Sequence, residues 1–228
     1  MVVQSPHALR SQNHWGYTAL PDEITIWERA REGDDSSFAT LFREHRDRIY
    51  GQALRLTRSS HDAEDVTALV FLEAWRRRSN VRLVDGSILA WLLVCTNLVS
   101  RNVDRSRRRH RIAMSKLSPQ EHADDHSDEV LTRWDSTGRE SALRAAFLRL
   151  SPNDRDVLTL CVVYEYSLAD AATALDVPVG TVKSRLSRAK KRLADLTLAA
   201  GTDLGLDLSS TSPDSDTGAS ASTLGGTR

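Results

Sequence analysis

Between Lys183 and Arg192 the chain places six cations and no acid. Lysine offers a phosphate a point charge, whereas arginine can grip a phosphate or a guanine edge through two parallel hydrogen bonds. On a helical projection Val182, Leu186, Ala189, Leu193 and Leu196 fall within one narrow arc, and Ser184, Ser187, Arg188 and Lys191 point the opposite way. Lys183, Arg185, Lys190 and Arg192 flank them. A helix with an apolar stripe on one side and a cationic face on the other suits the DNA major groove. The plainer reading is an amphipathic surface helix that happens to be basic. A second run, Arg101–Arg111, holds six arginines and one acid. It suits phosphates, which supply salt-dependent affinity rather than sequence choice; its plainer reading is a solvated, charged helix end.

Other chemistries have less support. His122 and His126 stand four residues apart beside Asp124 and Asp125, a spacing that could hold a metal. They lack the H-E-x-x-H setting, and a solvated acidic segment accounts for them better. No nucleophile elbow and no phosphate-binding glycine loop occurs, so neither an enzymatic role nor a cofactor is expected. Cys95 and Cys161 are far apart among apolar residues, as expected of reduced core thiols in a cytoplasmic protein.

The basic segments need a scaffold. The 228 residues allow one large or two small domains, and 40% are hydrophobic. The longest apolar run, Ile88–Val94, is far short of the roughly 20 residues that span a bilayer, and residues 1–20 carry no apolar core run of a secretory signal. Net charge is zero, but Glu121–Glu140 holds seven acids against two arginines. Charge is thus segregated, and local stripes make the electrostatic footprint.

Periodicity divides the chain into a polar arm (1–22), a helical domain (23–112), an acidic linker (113–138) containing Ser118-Pro119, a second helical domain (139–198) and a Gly, Ser, Thr and Asp-rich tail (199–228) too polar to fold. Phe38, Leu41, Phe42, Ile49, Ala53 and Leu56 mark one face of a helix beginning near Asp34. Val66, Leu69, Val70 and Ala74 mark another, and the same helix bears a second stripe of Ala68, Phe71, Leu72 and Trp75. A helix apolar on two sides is either well buried or meets a partner, and burial is the simpler expectation. Asp85-Gly86-Ser87 reads as a turn ending in an N-cap, with a helix from Ile88 onward. Trp91 on that helix is either core or a platform for an unstacked base.

In the C-terminal half, Ser151-Pro152-Asn153-Asp154 opens a helix with Ser as N-cap and Pro at the first helical position. Val157, Leu160, Cys161 and Tyr164 form its core stripe. A short helix follows with Leu168, Ala171, Ala172 and Leu175 inward, its alanines small enough for a crossing helix to approach. Asp176 tolerates a left-handed backbone, Pro178 blocks continuation, and Thr181–Leu196 forms the last helix. Short helix, tight turn and basic helix make a helix-turn-helix. No strand-period segment competes, so the fold class is all-α.

The run Val177-Pro178-Val179-Gly180-Thr181-Val182-Lys183-Ser184-Arg185-Leu186-Ser187-Arg188-Ala189 closely resembles the region 4 signature of bacterial extracytoplasmic-function (ECF) sigma factors, of the sigma-70 family. Asp62-Ala63-Glu64-Asp65-Val66 and Phe71-Leu72-Glu73-Ala74-Trp75 are similar to that family's region 2.2. Ala90-Trp91-Leu92-Leu93 through Asn97, with the arginine run, is similar to regions 2.3 and 2.4. The resemblance covers roughly residues 25–112 and 139–197.

It implies a specificity subunit of RNA polymerase. Region 4 would read the −35 element through Thr181, Lys183, Ser184, Arg185, Arg188 and Lys191. Region 2 would open the −10 element, with Asn97 and the loop from Val81 to Ser87 lining a pocket for a flipped base and Arg101, Arg105 and Arg108 on the strands. The core enzyme would be met through its β′ clamp helices, at Asp65, Ala68, Leu69 and Leu72, and through its β flap. The family also implies an anti-sigma factor and a cytoplasmic, non-membrane setting. Members often carry polar or acidic residues where this chain has Ala68, Leu69 and Val70; an exposed Leu69 would either make an apolar contact with the clamp or weaken a polar one. A helix-turn-helix regulator that never joins polymerase would explain the last 60 residues and leave Asp62–Trp75 and the arginine run without a task.

Overall fold

The computed structural model describes residues 22–117 and 138–199, and those residues are helical apart from turns and one isolated bridge between Val84 and Ser87. The expected arm, most of the acidic linker with His122 and His126, and the tail beyond Ala199 lie outside the described residues. None of the described helices is long and apolar enough to cross a membrane.

The first half contains α1 (Glu23–Glu32), α2 (Asp35–Thr57), α3 (Ser60–Arg76) and α4 (Leu89–Leu117). Local chemistry sets their ends. Gly33 closes α1 in the left-handed region, at φ 103°, where a side chain would be strained. The Asp34 carboxylate then caps α2 by accepting from the amides of Ser36 and Ser37. Ser59 caps α3 through the amide of Asp62. The turn before α4 takes Asp85 and Gly86 at positive φ, and Ser87 Oγ accepts from the Leu89 amide. Trp27, Leu41, Ile49, Val66, Val70, Leu92 and Leu93 build the shared core. Phe42 meets Phe71 edge-on at 4.7 Å, and Phe38 tilts against Trp75 at 5.0 Å.

One expectation for α3 is corrected. Val66, Val70 and Ala74 are buried as a stripe, joined by Ala63, Thr67 and Phe71, but Leu69 is 43% and Leu72 51% exposed. Asp65, Ala68, Leu69 and Leu72 lie on the side of the helix opposite the buried arc. Burial cuts across both apolar stripes: Phe71 is buried and Trp75 half-buried against Phe42 and Phe38, whereas Leu69 of the first stripe and Ala68 and Leu72 of the second face outward.

The second half contains α5 (Gly138–Arg149), α6 (Pro152–Leu158), α7 (Leu168–Leu175) and α8 (Val179–Ala199). Ser151 caps α6 with Pro152 in its first turn. Beyond Leu158 the helix widens into one π-turn, Thr159–Val163, closed by the Tyr164 amide donating to the Thr159 carbonyl at 3.0 Å. The widening turns Cys161 partly outward while Leu160 and Tyr164 stay buried. The stripe expected across Val157, Leu160, Cys161 and Tyr164 is thus not one straight α-helical row.

Candidate nucleic-acid interface

The basic helix is held by a tight turn. Ser167 caps α7 through the Asp170 amide, and Asp176 ends α7 in the left-handed region at φ 55°. The Pro178 carbonyl accepts from the amides of Thr181 and Val182, which starts α8 at once. Ala171 and Ala172 are buried where α7 crosses α8, and Val182, Leu186, Ala189 and Leu193 are buried along α8. With that side anchored, Lys183, Ser184, Ser187, Arg188 and Lys191 are exposed, and Thr181 and Arg185 are half-buried at the edges. The described face carries cations and small hydroxyls and no acid. It can contact phosphates and base edges together.

Asp154 braces this helix. Its carboxylate is buried on α6, accepts from the Arg192 guanidinium at 3.1 Å, and lies 4.0 Å from Arg188 Nε. Two cations of the basic row are therefore oriented from beneath, and Arg192 is the more firmly committed.

The arginine run is also not uniform. Arg105 and Arg108 are exposed on α4 and Arg101 is half-buried, while Arg107 reaches back to the buried Asp62 on α3. One arginine of the run thus pins α4 to α3. Trp91 is half-buried and packs against the core.

Asn97 is 5% exposed. It accepts from Gln52 Nε2 at 3.2 Å on one side; on the other its amide donates to Asp156 at 2.9 Å and to Thr159 Oγ1 at 3.0 Å. Gln52 and Asn97 belong to the first half, Asp156 and Thr159 to the second. Burial pushes the Asp156 carboxyl up to about 6, against the opposing pull of the Asn97 bond and of Arg155, Arg101 and Arg185. Burial likewise raises the Cys95 and Cys161 thiols, to about 12 and about 11, which keeps both protonated and unreactive.

The loop Val81–Ser87 rests on a group that sequence reasoning missed. Glu23 is buried at the start of α1, and its Oε1 accepts from Ser87 Oγ and from the Ile88 amide, each at 2.9 Å. His45 Nε2 of α2 lies 2.9 Å from the same oxygen. Three distant segments therefore meet at one carboxylate beneath the loop. An acidic residue at a helix start reads as a solvated first-turn acid, so no local pattern marks Glu23. Asp154 and Asp156 were hidden in the same way within an ordinary capping sequence.

The model of sigma-70 region 2 matches residues 41–110, and that of sigma-70 region 4 matches residues 140–193. The ECF RNA polymerase sigma factor SigE of Mycolicibacterium smegmatis is 35% identical over 164 residues, a stretch spanning 70% of this chain and 61% of that protein. SigM of Mycobacterium tuberculosis is 32% identical over 164 residues, covering 72% of this chain and 79% of its own. Among solved structures, CnrH in complex with the cytosolic domain of CnrY is similar in fold, with TM-score 0.50 and 20% identity over 79% of this chain and 99% of that one.

Proposed function

Since the chain belongs to the ECF RNA polymerase sigma factors of the sigma-70 family, we propose that it joins core RNA polymerase and directs promoter-specific initiation as a non-enzymatic subunit. Region 4 reads the −35 element with Thr181, Lys183, Ser184, Arg185, Arg188 and Lys191. Region 2 holds the opened −10 element with Asn97 and the Val81–Ser87 loop, while Arg101, Arg105 and Arg108 contact the strands. Asp65, Ala68, Leu69 and Leu72 meet the β′ clamp helices, and region 4 meets the β flap. An anti-sigma factor controls access to these surfaces, and the work takes place in the cytoplasm.

The observation that carries the reading is the pairing of two outward faces with different chemistry. The α8 face is cationic and fitted to DNA; the α3 face sets the exposed Ala68, Leu69 and Leu72 beside Asp65 and is fitted to protein. A regulator confined to DNA has no use for the second. Purified chain mixed with core polymerase should support transcription from a cognate promoter; binding to DNA without joining core would sink the proposal.

The α8 residues give a sharper outcome. Arg185→Ala and Arg188→Ala should each weaken −35 recognition by about 1–3 kcal/mol and leave core binding unchanged. Promoter binding by the reconstituted holoenzyme, measured beside core affinity, checks both halves of the statement. Loss of core affinity would mean that the DNA face has been misplaced.

A further inference from the structure

Arg185, Arg188 and Arg192 follow one another at helical spacing along one edge of α8. Asp154 of α6 lies beneath that edge and is 2% exposed. Its backbone amide donates to Ser151 Oγ at 3.2 Å, which fixes the carboxylate in the first turn of α6. Oδ2 accepts from Arg192 at 3.1 Å, and Oδ1 lies 4.0 Å from Arg188 Nε. The first contact is a hydrogen-bonded ion pair. The second is too long for a hydrogen bond, so it attracts Arg188 without capturing it. Both arginine side chains are otherwise open to solvent, at 57% for Arg188 and 56% for Arg192. Either could reach a DNA backbone, yet only Arg188 is free to do so. A buried carboxylate that loses its cation is strongly destabilised, so Asp154 does not release Arg192 without taking another.

The consequence concerns selectivity. Lys183–Arg192 holds six cations and no acid. Every cation that reaches a phosphate adds affinity that is blind to sequence. Base choice instead needs the planar fork of an arginine to be held in a fixed direction. We propose that Asp154 is a positioning residue for −35 recognition: it withholds Arg192 from the DNA backbone and aims Arg188, so that sequence-independent attraction is reduced and base choice kept. Arg192 stands outside the −35 contact set, and the pair with Asp154 accounts for that. The role rests on the assignment of α8 to the −35 element. Asp154 touches no DNA in this scheme and acts only through the two arginines.

The test measures binding of the full chain to a short mixed-sequence duplex over a series of salt concentrations, and its enrichment of preferred duplexes from a pool randomised in sequence. Asp154→Asn keeps the shape of the side chain and removes its charge. With Arg192 released, one more phosphate contact should steepen the fall of log affinity with log salt by about 0.9 and raise affinity roughly threefold to tenfold at about 0.1 M salt. Enrichment of preferred duplexes should fall at the same time. Adding Arg192→Ala should restore the parent slope. Adding Arg149→Ala, at an exposed arginine of α5, should not, although both double variants carry the parent's net charge. Equal restoration by both would reduce the effect to net charge and overturn the positioning role, as would an unchanged slope in a folded Asp154→Asn chain.

Arg192→Gln leaves the carboxylate in place and carries the test where circular dichroism shows that Asp154→Asn does not fold. Asp154 then takes Arg188, so enrichment should drop severalfold and Arg188→Ala should add no further loss. Unchanged enrichment, or a full additional loss on Arg188→Ala, would overturn the role. Lys183→Ala combined with Lys191→Ala reports on the underlying assignment. If that pair leaves the salt slope unaltered, α8 is not the DNA face and both assignments fall. A shallower slope there, with no response to Asp154→Asn, sinks the positioning role alone.

Discussion

Glu23→Ala should lower the stability of the region 2 half by about 3–5 kcal/mol, the cost of removing one partner from a buried, hydrogen-bonded charged group. The carboxylate is buried, and a single oxygen accepts from Ser87 Oγ and the Ile88 amide and lies 2.9 Å from His45 Nε2. Alanine leaves a hydroxyl, an amide and an imidazole facing a dry cavity. Glu23→Gln separates hydrogen bonding from charge: its carbonyl oxygen can take the same place, and the loss should shrink to about 1 kcal/mol. Urea unfolding followed by circular dichroism measures both. Equal losses for the two variants would show that the charge, and not the acceptor, holds the segments together. Because Glu23 supports the turn that aims the Val81–Ser87 loop, the alanine variant should also fail to open promoters at temperatures where it remains folded.

This carboxylate marks where sequence legibility stops. Helices with a strong period and a good cap were readable: α2 starts behind Asp34, α6 behind Ser151, and α8 buries Val182, Leu186, Ala189 and Leu193. In each case the determining interactions lie within four residues. Glu23 acts across 22 residues to His45 and 64 to Ser87, and no local pattern encodes such a meeting. The same holds for Asp156 and Asn97, 59 residues apart; each alone reads as an ordinary polar helix residue. The basic faces were readable as charge but not as geometry. Nothing in the arginine run distinguishes Arg107, tied to Asp62, from the exposed Arg105 and Arg108. The π-turn at Thr159–Val163 was invisible because apolar spacing cannot tell a widened turn from a regular one.

The α3 helix shows what is gained when pattern and burial are combined. Periodicity gives it two apolar stripes, but burial cuts across both: Val66, Val70, Phe71 and Ala74 are covered, while Ala68, Leu69 and Leu72 are exposed. Leu69 and Leu72 remain 43% and 51% exposed one turn apart, flanked by Ala68 and Asp65. Leu69→Lys combined with Leu72→Lys should therefore leave folding intact and weaken core polymerase binding by about 2–4 kcal/mol, or roughly 30- to 1,000-fold, through lost apolar contact and an added cost of desolvating charge. Competition between the variant and the parent chain for limiting core enzyme reads this directly. Leu69→Glu decides how the surface is used. If this chain meets the clamp through apolar contact, the acidic substitution weakens binding as the basic one does, since either charge must leave water. If leucine instead stands where a polar contact has been given up, Leu69→Glu tightens binding, and the apolar docking surface proposed here falls.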